Sequence, residues 1–134
     1  LSVTLAPGLD PERFTVQPIE AMSFDAFADV VISSAVLHFA RDHEHFDAML
    51  GASWRAVAAG GLLFCRLASS IGMETRMIPI GDGRFRLPDG SIRYLVDESM
   101  LLERTERLGG TLIDPLKTTV VQGQRCMTTW AMRK

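Results

Sequence analysis

The sequence has few of the features that mark disulfide-rich, membrane-spanning or nucleic-acid-binding proteins. It contains two cysteines, Cys65 and Cys126, and neither belongs to a CxxC or Cys/His cluster, which argues against a zinc site or a disulfide framework. Its apolar runs are much shorter than the roughly 20 residues that span a bilayer. The formal net charge of −2 comes without a Lys/Arg cluster, so neither nucleic acid nor anionic lipid is an expected partner. We therefore expect a cytoplasmic protein with reduced thiols and no membrane span.

Composition predicts one folded domain. Hydrophobic residues make up 47% of the chain and charged residues 22%, which is the balance of a globular domain. The chain begins with Leu1 where an initiator Met would stand, and neither a basic segment nor a long apolar segment of a signal peptide follows. We expect residues 1–134 to be a single partial domain cut from a longer chain. The residues indicate no particular oligomeric state.

Two apolar segments predict parallel strands of an α/β fold. Residues 28–36 are almost continuously apolar and β-branched, and residues 62–68 repeat that pattern, as expected of strands that helices cover on both faces. The first of these should be a central strand. A shorter segment, residues 14–17, predicts another strand that ends at Pro18.

Between the two apolar segments the pattern predicts a crossover helix. Asp42 is a suitable N-cap, and Phe46 and Leu50 belong to an apolar stripe at helical spacing. The pair Gly60 and Gly61 predicts the end of the helix, because glycine adopts the left-handed conformation found there. Strand, helix and strand together predict a βαβ unit.

The carboxyl-terminal part of the chain predicts a loop, a helix and an antiparallel hairpin. Residues 69–92 are rich in glycine and proline, and a loop of that length is usually functional. Asp97 is a suitable N-cap for a second helix, which Gly109 and Gly110 would end. Residues 117–121 and 126–132 lie on either side of a short turn, which predicts a hairpin.

Two stretches of sequence together resemble a known enzyme family. Residues 29–39 (DVVISSAVLHF) and 54–64 (WRAVAAGGLLF) are similar to the corresponding strand, helix end and strand of class I S-adenosylmethionine-dependent methyltransferases. The resemblance covers residues 14–134 and begins at the family's third strand. It implies a partial Rossmann-like methyltransferase sheet with a parallel core and a carboxyl-terminal antiparallel hairpin. It also implies methyl transfer from S-adenosylmethionine to a small-molecule acceptor.

The chain departs from that family in one important respect. The family's cofactor lies on a glycine-rich loop after the first strand, and an acidic residue at the end of the second strand holds the ribose. Neither GxGxG nor GxGxxG occurs in this sequence. The resemblance therefore implies that this chain is the carboxyl-terminal portion of the enzyme.

The resemblance implies cofactor contacts at two places. In the family, the segment after the third strand wraps the adenine, and Pro18 stands here where its acidic residue usually lies. Glu20 either substitutes for that acid or is a solvated loop carboxylate. The candidate adenine contacts are Ile19, Glu20 and Ala21. Ligands of open α/β sheets bind at the carboxyl ends of the strands, so the candidate contacts to the methionine part are Ser33, Ser34 and Ala35.

Candidate acceptor contacts lie at the same strand ends. His38 is either a catalytic base, since imidazole titrates near neutral pH, or a histidine with a structural hydrogen bond. Arg66, inside an apolar strand, either holds an acidic acceptor or forms a structural ion pair. Ser69 and the loop of residues 70–92 are further candidates on the substrate side. His43 and His45 point to different faces of a helix, so we expect no metal site.

Two functions fit these observations. The first is a methyltransferase whose activity also needs residues outside this segment. The second is a degenerate methyltransferase-like interaction module without cofactor binding. The nucleophile elbow GxSxG and the phosphate loop GxxxxGK[ST] are both absent, which argues against other enzyme classes.

Overall fold

The architecture is a mixed sheet with two helices, and a smaller antiparallel sheet is inserted between them. The structure, a computed structural model, describes residues 8–134. The helices are α1 (His43–Ala56) and α2 (Glu98–Leu108). The strands are β1 (Ala28–Ser34), β2 (Val57–Ser69), β3 (Ile78–Gly81), β4 (Arg84–Arg86), β5 (Ile92–Tyr94), β6 (Thr111–Leu112), β7 (Lys117–Val121) and β8 (Arg125–Arg133). Short 3-10 turns span Pro11–Arg13, Ile19–Ala21, Leu37–Phe39 and Glu74–Arg76.

The main sheet confirms the predicted α/β class. Its strand order is β1-β2-β8-β6, with β7 also paired to β8. β1 and β2 are parallel and are joined through α1, whereas β8 is antiparallel to β2, β6 and β7. The predicted hairpin is present, and Gln122 and Gly123 of its turn both have positive φ, as the tight turns of hairpins require.

Both predicted helix N-caps are present. The Asp42 carboxylate accepts a hydrogen bond from the His45 amide at 2.7 Å, and the Asp97 carboxylate accepts one from the Met100 amide at 2.8 Å. Each bond satisfies an amide that has no partner inside the helix. α2 ends at Gly109, whose left-handed φ is 73°. Neither helix of residues 8–134 is long and apolar enough to cross a membrane.

One face of the sheet packs against both helices. Leu63, Cys65 and Leu67 of β2 point into this core and are completely buried. The indole N–H of Trp130 on β8 donates to the Thr105 hydroxyl of α2 at 2.9 Å, so the largest core side chain has its polar atom satisfied. The core therefore lies between β2, β8 and the two helices.

The opposite face of the sheet is open, which contradicts the prediction that helices cover both faces. Val30 is 53% exposed, Ile32 is 70% exposed, and Phe64 is also exposed. β1 was expected to be central but lies at an edge, and no strand of residues 8–134 pairs with its other side. The sequence has the pattern of a strand that is covered on both faces, but helices of the described residues pack on only one face.

Residues 14–17 do not form the predicted strand. They have no regular structure, and Val16 is fully exposed. The physical reason is the absence of a neighbouring strand among residues 8–134, because isolated strand backbone gains no ladder hydrogen bonds. The β-branched composition alone was misleading here.

The predicted helix end at Gly60 and Gly61 is wrong. α1 ends at Ala56, and Val57 already pairs with Ala28 on β1. The glycine pair instead lies in an irregularity of β2, where the register shifts and Gly60 has φ of 79°. Glycine is needed for close approach, because a Cβ on Gly61 would lie 2.7 Å from the Asp29 carbonyl oxygen.

Residues 69–92 are more ordered than the predicted loop. They form a 3-10 turn and most of the antiparallel sheet β3-β4-β5. An isolated bridge between Ser69 and Val96 ties this insertion to the end of β2. The strands are three or four residues long, which is too short to leave a clear alternation in the sequence.

The glycine contacts give a test of this fold. Gly61→Ala should lower the free energy of unfolding by about 1–3 kcal/mol, because its methyl group would overlap backbone atoms. Gly51→Ala is the matched control, since a Cβ there meets nothing within 4 Å and alanine favours a helix by about 0.5–1 kcal/mol. Urea unfolding of both variants measures the difference. Equal midpoints would contradict the close approach at Gly61.

Candidate functional site

The carboxyl ends of β1 and β2 lie side by side and begin the candidate site. Ser34 is in register with Arg66, and the Ala35 amide donates to the Arg66 carbonyl at 2.8 Å. Ala35 has φ of 58°, an uncommon conformation for a residue with a side chain. Such backbone strain is concentrated at functional sites. Ala35 lines both of the two cavities described next.

The first cavity, which we call the arginine cavity, has a volume of about 240 Å³. Its apolar wall includes Phe39, Leu87 and Met127. Its polar lining consists of His38, Arg66, Asp89, Ser91, Arg93 and Arg125. Residues from β5 and the segment before it thus face residues from the ends of β1, β2 and β8, so the inserted small sheet forms one wall.

His38 is fixed in one tautomer at the floor of this cavity. It is 6% exposed, and its Nδ1 accepts a hydrogen bond from the Ala68 amide at 3.0 Å. Burial, followed by the positive charges of nearby arginines, lowers the pKa of His38 to about 4. The ring is therefore neutral at neutral pH with its proton on Nε2, and it offers the cavity an N–H donor.

The second cavity, which we call the Glu20 groove, has a volume of about 580 Å³ and is more open. Ile19 and Glu20 lie on one side of it and His45 and Met49 of α1 lie on the other. Ala35 and Phe39 line the Glu20 groove as well as the arginine cavity. The two cavities are therefore neighbours that share a wall.

Glu20 is held in place rather than freely solvated. His45 Nε2 lies 3.0 Å from Glu20 Oε1, and His45 Nδ1 accepts from the Arg41 amide at 3.0 Å. That second bond places the ring proton on Nε2, so the imidazole donates to the carboxylate. The pKa of Glu20 is lowered, first by a backbone hydrogen bond and then by His45 and Arg41. A fixed, ionised acceptor results.

The candidate site residues fall into two groups. Ile19, Glu20 and Ala35 come together at the Glu20 groove, and Ala35, His38 and Arg66 come together at the arginine cavity. Four candidates, Ala21, Ser33, Ser34 and Ser69, line neither cavity. Ala21 and Ser34 are exposed elsewhere, and Ser33 is buried with its hydroxyl unpaired among residues 8–134.

Ser69 is also outside both cavities. It is completely buried, and its hydroxyl hydrogen-bonds with the Thr128 hydroxyl at 2.7 Å. Residues on a strand alternate between faces, and Ser69 shares its face of β2 with the core residues Leu63 and Leu67. The structure therefore places Ser69 in the core and not at either cavity, and its contact with an acceptor stays a prediction.

Arg66 is not the buried guanidinium that its apolar strand suggested. It lies on the open side of β2, exposed at the cavity. No carboxylate of residues 8–134 forms an ion pair with it. The structural ion pair considered from the sequence therefore has no partner in the described part of the chain.

Sequence reasoning missed Arg93 and Arg125. Arg125 begins β8, and the antiparallel register places it next to the end of β2, where Ser69 pairs with Cys126. The position of Arg125, just before the second strand of the predicted hairpin, could therefore have indicated it. Arg93 lies on β5, which begins at the last residue of the predicted loop 69–92 and was not predicted as a strand, so nothing in the sequence placed its side chain.

His43 and His45 have different partners. His43 Nδ1 lies 2.7 Å from the Tyr94 hydroxyl, whereas His45 bonds Glu20. Among residues 8–134 no three His, Cys, Asp or Glu side chains cluster as metal ligands would.

Comparison with known proteins identifies the fold. No protein-family model matches the sequence, and no curated protein matches it significantly. A solved S-adenosylmethionine-dependent methyltransferase from Methanosarcina mazei is similar, with 18% identity and a TM-score of 0.71, over 90% of this chain and 66% of that one. The Burkholderia thailandensis 1,6-didemethyltoxoflavin-N1-methyltransferase, solved with its substrate and S-adenosylhomocysteine, has 16% identity and a TM-score of 0.72, over 98% of this chain and 55% of that one.

A third solved structure has the same fold with a different activity in its name. The [4+2]-cyclase SpnF is similar with 15% identity and a TM-score of 0.64, over 98% of this chain and 62% of that one. This chain thus spans between about half and two thirds of the length of these structures. These similarities show that the chain has the fold of class I S-adenosylmethionine-dependent methyltransferases.

Proposed function

We propose that this chain is the carboxyl-terminal portion of an S-adenosylmethionine-dependent methyltransferase that acts on a small molecule. The observation that carries the proposal is the shared wall at Ala35 and Phe39 between two cavities. A reaction between two bound molecules needs adjoining sites, and proximity with orientation is the main contribution of an enzyme to such a transfer. The carboxyl ends of parallel strands are the expected place.

The Glu20 groove fits part of the cofactor. Its fixed carboxylate can accept hydrogen bonds from a ribose hydroxyl or an adenine amino group, and Ile19 and Met49 supply apolar contact beside it. When bound, the cofactor supplies an activated methyl group on a sulfonium. The unpaired Ser33 hydroxyl lies two residues before Ala35 on β1, so it is a further candidate for contact once the site is complete.

The proposal that residues are missing rests on three observations. The similar structures are longer than this chain, the glycine-rich loop is absent, and one face and one edge of the sheet are open in residues 8–134. A strand edge with unpaired backbone groups and an apolar face are normally covered. An upstream segment of the same polypeptide would cover both.

His38 serves better as a hydrogen-bond donor than as a base. Its Nδ1 lone pair is used by the Ala68 amide, so accepting a proton on Nε2 would require the other tautomer and the loss of that bond. We propose that its N–H orients the acceptor. The catalytic-base role of His38 stays a prediction that kinetics would have to test.

A degenerate interaction module is the second candidate. The specific observation in its favour is the exposed apolar face formed by Val30, Ile32 and Phe64, since patches of this kind mark interaction surfaces. The fold itself does not decide the reaction, as the cyclase of the same fold illustrates. Cofactor binding separates the two candidates.

We also propose a cytoplasmic location with reduced thiols. Cys65 and Cys126 are both free and buried, and burial raises the pKa of the Cys65 thiol to about 12. A buried thiol of that kind is inert, so no disulfide partner is needed for its stability.

Calorimetric titration with S-adenosylhomocysteine tests the proposed function. The 134-residue chain should bind weakly or not at all, and a polypeptide that includes the upstream coding residues should bind, because the proposal places the glycine-rich loop and its polar contacts upstream. In that longer protein, Glu20→Gln should weaken binding by about tenfold, the effect of one charge-assisted hydrogen bond.

Glu106→Gln on α2 is the control, because it removes an equal charge and lies outside both cavities. No binding by the longer protein would favour the interaction module. Equal affinity of the Glu20 and Glu106 variants would contradict the role given to Glu20.

The state of His38 gives a second test, through the pH dependence of stability. The pKa is about 4 in the folded state and near its ordinary 6.5 in the unfolded chain, so the unfolded state takes up the proton first. The contribution of the neutral His38 ring to the free energy of unfolding is fully present above about pH 6.5. It is lost as the pH falls toward about 4. In His38→Asn, the side-chain oxygen of the asparagine can accept the hydrogen bond in place of Nδ1. This substitution should reduce by about 1–2 kcal/mol the loss in the free energy of unfolding that accompanies the fall in pH. Urea unfolding of both proteins at about pH 7.5 and about pH 5 measures this loss. An equal loss with and without the substitution would contradict a neutral His38 in the folded state.

A further inference from the structure

The arginine cavity has an excess of positive charge. Three guanidinium groups, those of Arg66, Arg93 and Arg125, line it together with a single carboxylate, that of Asp89. His38 is neutral at neutral pH and therefore adds no charge. Two positive charges remain in excess in a concave site of about 240 Å³. Concave walls focus the field of such charges and concentrate anions.

None of these arginines is neutralised by an ion pair. Among residues 8–134, the arginines that form salt bridges are Arg104 and Arg107 of α2, and the three arginines of the cavity form none. Arg93 lies over the Phe39 ring at 4.8 Å and donates to the Ile92 carbonyl at 2.8 Å. These contacts fix the position of the guanidinium without cancelling its charge.

Asp89 does not neutralise the cluster directly. Its Oδ1 accepts hydrogen bonds from the Ser91 amide at 2.9 Å and from the Ser91 hydroxyl at 2.6 Å. No arginine nitrogen lies within ion-pair distance of it. The Asp89 carboxylate therefore stabilises the local turn through Ser91, and the N–H groups of the three arginines do not bind to it.

The donors come from four separate parts of the fold. Arg66 is within β2, three residues before its last residue Ser69, Arg93 is on β5, Arg125 is at the start of β8, and His38 is in the turn after β1. The chain brings like charges together at this point although the whole protein has a net charge of −2. Like charges repel, so their convergence raises the free energy of the protein unless an anion lies between them.

We propose that the methyl acceptor is an anion, and that its carboxylate or phosphate group binds to the guanidinium groups of Arg66, Arg93 and Arg125. Guanidinium groups match both kinds of oxyanion geometrically and can donate two bonds at once. Phe39, Leu87 and Met127 contact the apolar remainder of the molecule. The His38 N–H donates a further hydrogen bond. This inference rests on the proposed function, because it identifies the class of acceptor for that reaction.

Amide chemical shifts during titration of the 134-residue chain test the proposal. The probes are inorganic phosphate, propionate and its neutral counterpart propionamide, all at low ionic strength, because screening weakens exposed charges. Phosphate and propionate should cause saturable shifts at Ala68, Ser91 and Arg93, whereas propionamide should not. Shifts that are absent, spread over the surface or equal for propionamide would overturn the proposal.

Substitution of single arginines tests whether phosphate binds in the arginine cavity. Arg66→Gln and Arg125→Gln should each weaken phosphate binding by about tenfold, the contribution of one charge-assisted contact, and both side chains are exposed, so the fold should tolerate the change. Arg13→Gln removes the same charge outside the cavity and should leave the affinity unchanged. An equal loss in all three variants would indicate nonspecific attraction and would overturn the proposal.

S-adenosylhomocysteine distinguishes the two possible sources of the anion. In the longer protein that includes upstream residues, saturating S-adenosylhomocysteine should leave phosphate binding unchanged. Competition between the two would assign the arginines to the cofactor's own carboxylate and would overturn the proposal. Failure of S-adenosylhomocysteine to bind would count against the proposed function alone, and the phosphate titration would still decide whether the cavity is an anion site.

Discussion

The parallel pairing of β1 with β2 is the constraint on which the rest of this structure depends. It runs in regular register from Val30 and Leu62 to Ser34 and Arg66. A slip by one residue would turn the completely buried Leu63 outward and bring exposed residues into the core, so burial beneath α1 fixes the register. Because the strands are parallel, their carboxyl ends meet at one edge. Both cavities include Ala35, the residue that follows β1 at that edge.

The elements that the sequence predicted correctly are those with local signals. The N-caps Asp42 and Asp97 and the helix end at Gly109 each act within one turn of helix, so their neighbours in sequence are enough to recognise them. The elements that were missed depend on distant contacts. Gly60 and Gly61 are equally suited to a helix end and to an irregular strand, and the close approach of Gly61 to the Asp29 carbonyl on β1 is a contact that the local sequence does not reveal. Residues 14–17 have strand composition, but a strand also needs a neighbour.

The same distinction applies to the candidate site. Ala35 and His38 were candidates because they follow the end of a recognisable strand, where ligands of open sheets bind, and the structure places both at the arginine cavity together with Arg66 of β2. Ser69 lies outside both cavities, because alternation along β2 gives it the same face as the buried Leu67. Arg93 could not be found in this way, since its position depends on a small sheet with strands of three or four residues. The charge of the cavity is therefore a property of the tertiary structure.

The wall that the two cavities share has an electrostatic consequence for the proposed reaction. A cofactor that carries a sulfonium would bring positive charge into the Glu20 groove, next to a cavity in which Arg66, Arg93 and Arg125 already exceed the single carboxylate of Asp89. These charges repel across the wall formed by Ala35 and Phe39. An anion in the arginine cavity reduces that repulsion, so each ligand favours the binding of the other, and by linkage the effect is equal in both directions. A neutral acceptor would leave the repulsion in place, and the arrangement of charge therefore discriminates between acceptors before any contact with the reacting atom is made.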